Sequence, residues 1–80
     1  MPNLILYHYN ECSYCGRVRD FLKDQNISIS MKNTRENPKF REELVKLGGK
    51  PQVPCLVIDG QALYESDKII EWIKTNVVKK

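Results

Sequence analysis

The sequence is short of the ingredients that several site chemistries require. It has one histidine, His8, and three cysteines, of which only Cys12 and Cys15 form a close pair. A structural zinc site wants four ligands, often two cysteine pairs, and one pair with a remote Cys55 and His8 does not supply them. An odd cysteine count without a secretion signal also argues against a disulfide framework, so at least one thiol is left over. In "MPNLILYHYN" no basic stretch precedes the apolar residues and no small-residue cleavage site follows them. No apolar run approaches the length that crosses a bilayer. The expectation is a soluble, unexported, cytoplasmic protein without membrane contact. The net charge of +3 is mild, its Lys and Arg residues are scattered apart from Lys79 and Lys80 at a tail expected to fray, and no basic stripe interleaves with aromatics. Nucleic acid is therefore not an expected partner. Glycine and proline are few, at four each, and the 41% hydrophobic and 29% charged residues strike a globular balance. Eighty residues without linker, repeat or low-complexity segment predict one small domain over residues 1–80, with a modest stability margin.

The apolar positions that are present follow clear periods. "NLILYHY" (residues 3–9) is rich in strand formers, and its Leu4-Ile5-Leu6-Tyr7 run suits a strand covered on both faces. From Ser13 to about Gln25, Cys15, Val18, Phe21 and Leu22 recur at helical spacing opposite Arg17, Arg19, Asp20, Lys23 and Asp24. "ISISMKN" (residues 27–33) alternates Ile27, Ile29 and Met31 with polar residues, the period of a strand with one wetter face. Asn37-Pro38 reads as a helix start, Phe40, Leu44 and Leu47 as its apolar face, and Gly48-Gly49 as its stop. "VPCLVI" (residues 53–58) runs into the turn Asp59-Gly60, with "QALY" as the hairpin partner. Ser66 can cap a last helix in which Ile69, Ile73 and Val77 form one stripe beside Ile70 and Trp72. The order is βαβαββα. A βαβ unit pairs in parallel and a tight hairpin antiparallel, so the prediction is an α/β, thioredoxin-like fold with a four-stranded mixed sheet flanked by helices.

Cys12 and Cys15 stand where the first strand gives way to the first helix. That placement sets the first sulfur near unpaired helical N–H groups and the positive end of the helix dipole, both of which favour thiolate over thiol. A free thiol has a pKa of about 8.5, and such a terminus lowers it. Glu11 opposes the shift, whereas Arg17 and His8 assist it if they lie close. Cys15, one turn on, is expected to point inward. The asymmetry predicts Cys12 as the attacking nucleophile and Cys15 as the thiol that resolves a mixed disulfide by closing a Cys12–Cys15 bond. Tyr14, between them, is placed at the rim. Cys55, His8 and Trp72 read as packing residues.

With "CSYC" after the first strand, "QVP" opening the third and "ES" at the last helix, the chain resembles a dithiol glutaredoxin. It is also similar to the N-terminal glutathione-binding domain of glutathione transferases. The resemblance spans essentially all of the chain and implies several roles. Pro54 would be cis and face the nucleophile, and the backbone of Val53 would pair with the cysteinyl part of glutathione. Ser66 would receive the γ-glutamyl carboxylate at a helix N-terminus and Glu65 the ammonium group. Arg41 falls where the glycine carboxylate is often held, and Tyr14 and Gln52 complete the glutathione-binding set. The departures are Ser13 for proline, Tyr9 for the usual lysine, Gln52 for threonine, and Tyr64-Glu65 for a Gly-Gly pair.

The expected activity is a glutathione-dependent thiol–disulfide oxidoreductase, monomeric, acting on glutathionylated or disulfide-bonded proteins with glutathione as co-substrate. Two other readings stay open: a dimer bridging a glutathione-ligated [2Fe–2S] cluster through Cys12, and a thioredoxin-like reductase that needs none of Glu65, Ser66 or Arg41.

Overall fold

Leu4–His8 form the first strand, β1, of the structure, a computed structural model that describes residues 3–78. The expected fraying of Lys79 and Lys80 lies outside the described residues. β1 is followed by α1 (Ser13–Asp24), β2 (Ser30–Asn33), α2 (Pro38–Gly48), β3 (Cys55–Ile58), β4 (Gln61–Tyr64) and α3 (Ser66–Ile73). The strands form one four-stranded sheet in the order β2-β1-β3-β4. β1 pairs with β2 in parallel, while β1–β3 and β3–β4 are antiparallel. This is the mixed, thioredoxin-like arrangement that the periodicities predict.

Alternation along the two central strands divides the interior into two layers. Leu4, Leu6 and Leu56 point to one face and meet Val18 and Leu22 of α1 and Ile69 and Ile73 of α3. Tyr7, Cys55 and Val57 point to the other and meet Leu44 of α2, with Phe40 packed against them. Cys55 is thus a fully buried core residue, the packing role read from its position.

Local signals place the ends. Asn37 caps α2 through Oδ1, which accepts from Lys39 N at 3.0 Å, with Pro38 in the first turn. Gly49 ends that helix in the left-handed region at φ 86°. Asp59 and Gly60, both at positive φ, make the hairpin turn.

Four details differ from the sequence reading. β2 begins at Ser30 rather than at residue 27, because Ile5 is the partner of Ser30 and β1 itself begins only at Leu4. Ile27 and Ile29 still pack against the first layer, but Met31 is 42% exposed on the edge strand. Leu47, in the last turn of α2, is also exposed. The last helix is α-helical only to Ile73 and continues as a π-helical turn, Lys74–Val78, which lets Val77 and Val78 both pack on the first layer. Finally, the cap position of α3 is Glu65, without a side-chain cap bond, and Ser66 is the first helical residue.

Candidate active site

Cys12 is the N-cap of α1, in extended conformation, and its Sγ accepts from the backbone N of Cys15 at 3.3 Å. The sulfur therefore occupies the place that a Ser or Asp oxygen takes at an ordinary helix start, where N–H groups point outward without intrahelical partners. Cys12 is half-buried, and its thiol faces the Val53 carbonyl at 3.9 Å. Cys15 is fully buried. Burial, and then contact with Cys12, pushes its thiol up to about 12. Cys15 is turned inward and Cys12 is the more accessible of the two, the asymmetry expected from their spacing at a helix start.

The Val53–Pro54 peptide, across from Cys12, is cis, as the resemblance implies. Val53 and Pro54 line a cleft of about 240 Å³ together with Tyr14, Gln52, Glu65, Ser66 and Asp67. The cleft thus gathers three separate segments: the cysteine motif, the loop before β3 and the start of α3. Tyr14, 60% exposed, forms its rim. At the α3 end the first helical N–H groups have no side-chain cap, so they remain available to an anion. Glu65, which precedes them, has φ 74° and ψ 124°, a region that favours glycine.

The remaining expectations fall elsewhere. Arg41 does not line this cleft; it sits on the exposed face of α2 beside Glu42, Val45 and Lys46. Arg17 pairs with Asp67 at 3.0 Å, and His8 contacts Arg19, so neither side chain is engaged with Cys12. Burial and the positive charge of Arg19 hold His8 below its usual value. Glu11 is 3.9 Å from Arg35.

Asp67 was not singled out in the sequence. Its signal is an acidic residue in the first turn of a helix, a common placement that marks no particular site. A larger open groove between β4 and α3, about 600 Å³ and lined by Leu63, Trp72 and neighbours, shares Asp67 with the cleft but reaches none of the cysteines. Cys12 lines neither opening, but its sulfur faces the carbonyl of Val53, a residue of the smaller cleft, which makes that cleft the candidate site. Among the described residues no three His, Cys, Asp or Glu side chains converge on one point.

Similarity to known proteins is consistent with this geometry. A curated relative, the uncharacterized glutaredoxin-like 8.6 kDa protein in the rubredoxin operon of Clostridium pasteurianum, is 32% identical over 71 residues, covering 82% of this chain and 95% of that protein. Glutaredoxin 3 of Escherichia coli is 30% identical over 69 residues, covering 86% of this chain and 83% of its own length. Among solved structures, glutathione transferase Omega 3C from Trametes versicolor superposes with a TM-score of 0.82 at 26% identity over 96% of this chain, which spans only 34% of that protein. The glutaredoxin family model matches residues 4–63, a stretch running from β1 through Cys12, Cys15 and the cis proline into β4, and on that match the chain belongs to the glutaredoxin family of thiol–disulfide oxidoreductases.

Proposed function

We propose that the chain reduces protein–glutathione mixed disulfides and protein disulfides at the expense of glutathione. The observation that carries this reading is the convergence on one cleft of Tyr14, Gln52, Val53, Pro54, Glu65 and Ser66, with the Cys12 sulfur facing the Val53 carbonyl at 3.9 Å. An extended tripeptide laid along Val53 meets backbone groups as an added strand does. Its γ-glutamyl carboxylate is received by the uncapped start of α3, and the carboxylates of Glu65 and Asp67 attract the adjacent ammonium.

In the first step the Cys12 thiolate attacks the glutathione sulfur of a mixed disulfide. A Cys12–glutathione disulfide bond forms, the disulfide bond between the glutathione sulfur and the protein's cysteine sulfur breaks, and the protein leaves as a thiolate that takes up a proton. A second glutathione thiolate attacks the bound glutathione sulfur, releasing glutathione disulfide and restoring Cys12. With a protein disulfide, Cys15 attacks Cys12 instead, expels the substrate thiol and leaves a Cys12–Cys15 disulfide for glutathione to reduce.

The test is turnover of a glutathionylated peptide in glutathione, glutathione reductase and NADPH. Cys12→Ser is expected to abolish turnover and Cys15→Ser to retain it. Reduction of a protein disulfide needs both cysteines. Loss of deglutathionylation in Cys15→Ser with retention in Cys12→Ser would reverse the assignment, and a wild-type chain inert with glutathione would sink the reading.

A further inference from the structure

Arg19 lies one helical turn beyond Cys15 on α1, and its guanidinium reaches back to the segment that leads into the site. Nη1 is 3.1 Å from His8 Nδ1 and donates to the Tyr9 carbonyl at 3.3 Å, while Nη2 donates to the Asn10 carbonyl at 3.4 Å. Because Arg19 can only donate, His8 Nδ1 is the acceptor and its proton sits on Nε2. The Tyr9 peptide is where these contacts meet the cysteines. Its carbonyl also accepts from the backbone N of Cys12 at 3.3 Å.

We propose that Arg19 is a positioning residue for closure of the Cys12–Cys15 bond: it clasps residues 8–10 to α1, fixes the Tyr9 peptide between the two cysteines, and sets a positive charge on the Cys15 side. Cys15 has the harder task of the pair, since it is fully buried and must shed a proton before it can attack. Burial and the neighbouring Cys12 sulfur oppose that ionisation, whereas the Tyr9 backbone and the charge of Arg19 favour it. The step balances without another reagent. The Cys15 sulfur bonds to Cys12, the bond from Cys12 to the substrate sulfur breaks, and the departing thiolate takes up the proton that Cys15 lost.

The proposal rests on Cys12 as attacker and Cys15 as resolver, and its test avoids glutathione. One equivalent of an aromatic disulfide with a coloured thiolate is mixed with the reduced chain. The first release of colour reports attack by Cys12, and the second reports attack by Cys15 on the Cys12 adduct. Arg19→Gln is expected to slow the second release about tenfold and to change the first less than about twofold, while Arg19→Lys, which keeps the charge but not the planar fork, recovers part of the loss. Arg35, stacked 4.2 Å from the Tyr9 ring on the outer side of the same segment, provides the control, and Arg35→Gln is expected to alter neither phase. Circular dichroism establishes that each variant is folded. Equal slowing of both phases, no slowing in Arg19→Gln, or the same effect from Arg35→Gln would overturn the proposal. A second release that persists in Cys15→Ser would instead overturn the cysteine assignment on which it rests.

Discussion

Burial separates the three thiols by environment. Cys12 is half-exposed at a helix start, Cys15 lies beneath it, and Cys55 sits in the opposite layer of the core beside Tyr7, Leu44 and Val57. From an ordinary value of 9.0, burial first of all pushes Cys15 up to about 12 and Cys55 up to about 11. A raised folded value means that the folded chain keeps protons the unfolded chain gives up. The corresponding stability is complete below pH 9.0 and is lost as the pH rises through about 11 for Cys55 and about 12 for Cys15. Urea unfolding of the reduced chain is therefore expected to show a midpoint that falls from pH 9 upward. Cys55→Ala, which removes one of the two groups and leaves the cleft untouched, is expected to cost about 1 kcal/mol near neutrality and to flatten the alkaline fall. An alkaline slope identical in Cys55→Ala and the native chain would refute the assignment to Cys55.

The three helices begin in three ways, and the differences follow the site. The Cys12 sulfur caps α1, the Asn37 side chain caps α2, and α3 has no side-chain cap. The turn into α3 also carries an unfavourable backbone, since Glu65 has φ 74° and ψ 124° and carries a side chain. A sparsely populated conformation of this kind costs on the order of 1–3 kcal/mol, part of which glycine would give back through its own larger loss of freedom on folding. Glu65→Gly is expected to raise stability by about 1 kcal/mol and to raise the KM for glutathione several-fold, because the carboxylate leaves the cleft along with the strain. Thermal unfolding and steady-state turnover measure the two effects. Stabilisation with an unchanged KM would mean that the carboxylate does not meet the ligand.

This turn also marks how far the sequence was legible. The element order was readable because Leu4-Ile5-Leu6-Tyr7, the α1 stripe and Asp59-Gly60 each carry a local period or turn signal. So was the cysteine asymmetry, which follows from spacing at a helix start. The true start of β2 was not, because pairing depends on where β1 begins, a fact about a different segment. Ser66 read as a cap because residue type favours it there, yet the chain turns one residue earlier. Asp67 and Arg19 carry ordinary surface-helix chemistry in one dimension, and only the packing of α3 and of residues 8–10 against α1 gives them a place at the site.

At the scale of the whole molecule, the two core layers share their strands. Leu6 and Tyr7 are adjacent in β1, as are Cys55 and Leu56 in β3, and each pair sends one side chain to each layer. Neither layer has a sheet without the other, so the described fold should unfold in one step, as small domains usually do. Trp72 packs against the layer formed with α1 and α3, whereas Leu44 is fully buried in the layer beneath α2. Leu44→Ala, expected to cost about 3 kcal/mol from the vacated volume, tests the coupling across the sheet. Trp72 fluorescence and far-ultraviolet circular dichroism should report the same lowered urea midpoint with an unchanged m-value. If the Trp72 transition instead stayed near its native midpoint while the dichroism signal fell earlier, the α2 layer would be able to open alone. The cleft, built from the start of α1, the loop before β3 and the start of α3, would then retain its form when the opposite face of the sheet is lost.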